Sequence, residues 1–94
     1  MRADLSAPLR SALEAIALFE RGEVDVEGLQ VAIRTAEDSV TEYELLGLRR
    51  LLQAAEGKLE LIRFTLENDY AVAEALKVAH AVRDRIRDEF GESD

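Results

Sequence analysis

The stretch TEYELLGLRRLLQAAEGKLELIRFTL, residues 41–66, decides the fold. Leu45, Leu48, Leu52, Ala55, Leu59, Ile62 and Leu66 recur at alternating intervals of three and four, the repeat that lines one face of an α-helix. The seam passes Gly57 without a break, so it predicts one helix from about Glu42 to Glu67, about 39 Å long at the standard rise per residue. Thr41 and Glu44 stand at capping-box spacing, with Val40 and Leu45 placed as the accompanying hydrophobic staple.

Working outward, the same repeat appears three more times. Toward the N-terminus, Val26, Leu29, Ile33, Ala36 and Val40 form an amphipathic stripe, and Asp25 is placed to cap it. Before that, Leu9, Leu13, Ile16 and Glu20, with Ala12 and Phe19 beside them, predict a helix from Ala7 to Arg21. Ser6 is its expected N-cap and Gly22 its left-handed terminator. On the other side, Asn68-Asp69 marks a turn, and Val72, Leu76, Ala79, Val82, Ile86 and Phe90 predict a last helix ending at Gly91. The expected fold is all-α: a small antiparallel bundle of about four helices, the third longest and central. Residues 1–94 form one domain, with 1–5 and 91–94 expected to fray.

Composition narrows the function. The chain has no cysteine, so disulfides, thiolate nucleophiles and Cys-based metal sites are excluded. The net charge is −8, and Glu20, Glu23, Asp25, Glu27, Glu37, Asp38, Glu42 and Glu44 face only Arg21 and Arg34, a local net of −6. That sign opposes phosphate-backbone binding and favours a basic protein partner; no nucleic-acid partner is expected. The alternative reading of these acids is solubility alone. No window holds the ~20 apolar residues of a membrane span, and the N-terminal residues do not have the form of an export signal, so cytoplasmic residence is expected.

Chemistry-bearing motifs are absent. His80 is the one histidine. Only Asp84 stands at helical spacing to pair with it, and the chain has no nucleophile, Glu-x-x-His pair, phosphate loop or calcium loop around it. Arg83, Arg85 and Arg87 alternate with acids, as on a solvated helix face. The chain is expected not to be an enzyme and to need no cofactor or metal.

Two surfaces remain as candidates for recognition. Tyr43 lies between Glu42 and Glu44 and points away from the Leu45 seam, which suits an aromatic anchor in an acidic surround; otherwise it packs against the first two helices. Helix three also carries a second face, Gly47, Ala54, Gly57, Leu61 and Phe64. Either that face is covered within the monomer, or it serves self-association, a homodimer being the simplest form.

Residues 18–29, Leu18-Phe19-Glu20-Arg21-Gly22-Glu23-Val24-Asp25-Val26-Glu27-Gly28-Leu29, resemble the helix–Gly-Glu–helix connector of small acidic helical immunity proteins of bacterial toxin systems. The resemblance implies a stoichiometric inhibitor that binds a toxin and occludes its active site. Its implied contact residues here are Glu23, Asp25, Glu27, Glu37, Asp38, Glu42 and Tyr43.

Overall fold

Ser6 opens the first helix by accepting a hydrogen bond from the Leu9 N–H, and its extended backbone marks the helix boundary. The structure, a computed structural model, describes residues 6–90; the ends expected to fray, 1–5 and 91–94, and the terminator Gly91 lie outside the described residues. Helix α1 spans Ala7–Glu20. It closes in a Schellman motif: Glu23 N–H donates to the Leu18 carbonyl at 2.9 Å and Gly22 N–H to that of Phe19 at 3.0 Å. Gly22 takes φ 78°, the left-handed conformation this motif requires.

Asp25 caps α2 (Val26–Ser39), its carboxylate accepting from the Gly28 N–H at 2.8 Å. A 3-10 turn at Tyr43–Leu45 then leads into α3, Leu46–Thr65. Helix α4 runs Asn68–Phe90 and starts one residue before the expected boundary, with the Ala71 N–H donating to the Glu67 carbonyl. Taken with its 3-10 lead-in, the third helical stretch matches the 23 residues of α4.

The capping box is not formed. The helical stretch begins at Tyr43 after Glu42, which makes no side-chain cap. Thr41 therefore stands one residue too early, and the position that Glu44 would need is taken by Leu45. Helix α3 also stops at Thr65, because Leu66 turns extended while its N–H donates to the Ile62 carbonyl.

The helices form two antiparallel hairpins, α1–α2 and α3–α4. Helix α2 packs along α3, and α1 closes the ring against α4; α1 and α3 lie on the diagonal, with no close approach of their backbones. Leu9, Ile16, Leu29, Ile33, Leu48, Leu52, Leu59, Val82 and Ile86 fill the centre. Alanines at 12, 36, 55, 75 and 79 are buried too, where small side chains let helix axes approach. In α4 the buried stripe begins at Ala71 and Ala75, whereas Val72, placed in the core by its spacing, is exposed. Helix α3 is central in that it packs on both α2 and α4, but its outer face is open.

Candidate protein-binding surfaces

The seven residues expected at a partner contact fall at the two ends of α2. Glu23, Asp25 and Glu27 surround the α1–α2 turn. Glu37, Asp38, Glu42 and Tyr43 lie at the opposite end, about 21 Å away along a 14-residue helix. Glu27, Val31, Arg34 and Asp38 share the outward stripe that joins the two, and Val31 stands 53% exposed in its middle.

At the first end the turn faces the α3–α4 turn across an open groove of about 860 Å³. Phe19, Val24, Leu66 and Val72 give it apolar walls, with Glu23, Asp25 and Glu27 on one side and Arg63 on the other. The acids here are already engaged. Glu23 pairs with Arg21 at 3.2 Å, Glu27 with Arg63 at 3.7 Å, and Asp25 is spent on its helix cap.

The second end differs. Glu37 is half-buried, Asp38, Glu42 and Glu44 are exposed, and none of the four makes an ion pair among the described residues. Tyr43 is 86% exposed, so it does not pack on the first two helices. Glu37 and Asp38 occupy the last turn of α2, where no basic residue offsets the negative end of the helix dipole.

Between these ends lies a polar network that sequence reading missed. Gln30 on α2 is the one buried polar side chain among the described residues. Its Nε2 donates to Glu56 at 2.8 Å, and its Oε1 accepts from Arg63 at 2.8 Å. Arg34 donates to the same Glu56 carboxylate oxygen at 2.8 Å. That hydrogen bond from Arg34, and then the one from Gln30, holds the Glu56 carboxyl below its ordinary range, while Glu56 raises Arg34. The available signal was the spacing: Gln30 and Arg34 on one helix, and Glu56, Glu60 and Arg63 on the other, each flank a buried stripe.

His80 does not pair with Asp84. Its Nε2 lies 2.6 Å from Glu20 on α1, and Arg83 donates to the same carboxylate oxygen at 3.2 Å. The expected His80–Asp84 pair is lost because Glu20, at the end of α1, reaches across the seam, while Asp84 accepts from Arg83. Among the described residues no group of three or more His, Asp or Glu is placed to hold a metal ion, and no helix is long and apolar enough to cross a membrane.

The five residues of the second face of α3 are all exposed, Leu61 at 63% and Phe64 at 73%. They do not form one stripe. Gly47, Ala54 and Leu61 flank the groove toward α4, where a side chain at Gly47 would meet Arg85; Gly57 and Phe64 point outward, with the Arg63 guanidinium 5.2 Å from the Phe64 ring centre. The chain matches no protein-family model, no curated protein and no solved structure.

Proposed function

We propose that this protein is a non-catalytic binding module, an immunity-type inhibitor that takes a basic protein partner at the end of the bundle bearing Tyr43. The observation that carries this reading is Tyr43 itself: an aromatic ring 86% exposed beside four carboxylates that have no ion-pair partner within the described chain. An exposed ring costs solubility, and unpaired acids at the C-terminal end of a helix cost stability. A partner that covers the ring and brings cations to Glu37, Asp38, Glu42 and Glu44 would relieve both. The rim charges would speed association, and the buried ring would slow dissociation. The outward stripe of α2, through Val31 to Glu27, gives such a partner room to extend toward the other acidic end.

The test is capture of the tagged protein's partner from lysate of its source cells, followed by titration of the isolated pair. A basic protein retained near equal stoichiometry is expected, with affinity falling on rising salt. Tyr43→Ala combined with Glu42→Lys should abolish binding with the helical circular dichroism unchanged. Binding that survives this double variant would overturn the site.

A further inference from the structure

We propose that the groove between α3 and α4 is a second docking site, built for an acidic amphipathic helix of a partner protein. The chain contains two lysines, Lys58 and Lys77, and both line this one groove, one on each helix. Lys77 pairs with Glu74 at 2.9 Å, while Lys58 makes no ion pair among the described residues. Glu74 lines the groove as well, so in a protein of net charge −8 this one concavity carries a local net charge of +1, the unpaired Lys58.

The groove measures about 430 Å³ and its walls are largely apolar, from Leu51, Ala54 and Leu61 on one side and Val78 and Ala81 on the other. Exposed alanines at 54 and 81 leave it shallow enough for a third helix to seat between the two axes. Tyr70 follows the helical spacing of Glu74, Lys77 and Ala81 and is 70% exposed. A helix with apolar residues at intervals of three and four would fill the floor; a carboxylate on one flank would meet the unpaired Lys58, and one on the other would share Lys77 with Glu74.

A second copy fits less well. Antiparallel packing brings Gly47 of α3 level with Arg85 of α4, so Lys58 and Lys77 lie within one turn of each other along the hairpin. A two-fold axis centred on the groove would set these lysines against their own copies. The surface is separate from the Tyr43 end, so this inference stands or falls apart from the basic-partner reading.

The experiment is a nuclear magnetic resonance titration of the ¹⁵N-labelled full chain. The probe is a helical peptide of about 14 residues, four turns, with leucines at 3–4 spacing and glutamates on both flanks; a control replaces the glutamates by lysines. The acidic peptide should shift the amide signals of Ala54, Leu61, Val78 and Ala81, and the basic one should not. Lys58→Glu with Lys77→Glu, both at exposed side chains, should weaken the acidic peptide about tenfold or more, with circular dichroism checking that the helical fold survives loss of the Lys77–Glu74 pair. Unmoved groove signals at millimolar peptide, or equal affinity in the double variant, would overturn the proposal. So would a wild-type chain that sediments as a dimer and becomes monomeric on Ala81→Arg, since a second copy would then occupy the face.

Discussion

Gln30 of α2 donates to Glu56 of α3 across 2.8 Å from a side chain only 1% exposed, so a polar pair fixes how the two hairpins meet. Apolar stripes alone allow one helix to slide a turn along another. An amide held by a carboxylate on one side and a guanidinium on the other has one matching register.

Gln30→Leu keeps the volume and removes three hydrogen bonds, those donated to Glu56 and Glu60 and the one accepted from Arg63. It should cost about 1–3 kcal/mol, because Glu56 and Arg63 lose a partner while partly shielded from water. Urea unfolding should show a lower midpoint with an unchanged slope.

Glu56 makes stability depend on pH in one direction. Its carboxyl is held below the ordinary value of 4.5 in the folded chain, chiefly by Arg34. The unfolded chain therefore takes up the proton first, so the stabilisation is present above pH 4.5 and is lost as pH falls through the folded value. Thermal melts between pH 6 and pH 3 should show this loss, and Glu56→Gln should be less stable at pH 6 and flatter across the same range.

Two glycines should respond to alanine with opposite signs. Gly22→Ala forces a side chain into the left-handed region and should destabilise by about 1–2 kcal/mol. Gly57 is in the middle of α3 with nothing within 4 Å of a new Cβ, so Gly57→Ala should stabilise by about 0.5–1 kcal/mol. Differential scanning calorimetry of the two variants checks both.

Glu37→Gln with Asp38→Asn removes charge from the unfavourable end of the α2 dipole. The double variant should be more stable, by about 0.3–1 kcal/mol, and should bind the basic partner more weakly. Chemical denaturation beside calorimetric titration would read the two effects. A less stable variant would count against the dipole argument.

The helix count and the stripes at Leu29–Val40 and Leu48–Ile62 were legible because burial imposes a 3–4 repeat. Ser6, Gly22 and Asp25 were legible because their roles depend on neighbours along the chain. Thr41 was misread for a related reason: its spacing to Glu44 is right, but a 3-10 start moves the helix boundary by one residue, and a cap is lost with it. Val72 was misread because alanine is small enough for the α4 stripe to begin at Ala71 and Ala75. The pairings of Gln30 with Glu56 and of Glu20 with His80 and Arg83 join residues at least 26 positions apart, where helical spacing says nothing. The acidic residues proposed as contacts stand out in the sequence by type, but their division between two ends of α2 needed the fold.

The seam between α1 and α4 sets an order of assembly. Each hairpin, and the α2–α3 contact between them, joins helices that follow one another in the chain, so those pairings close short loops and form early. Helices α1 and α4 come together across nearly the whole chain, which makes their pairing the costliest in loop entropy and the last to form. In reverse it is the first to part. Amides of α1 should then exchange with solvent sooner than those of α3, and a clip that ties Glu20 to Arg83 should slow unfolding more than it speeds folding.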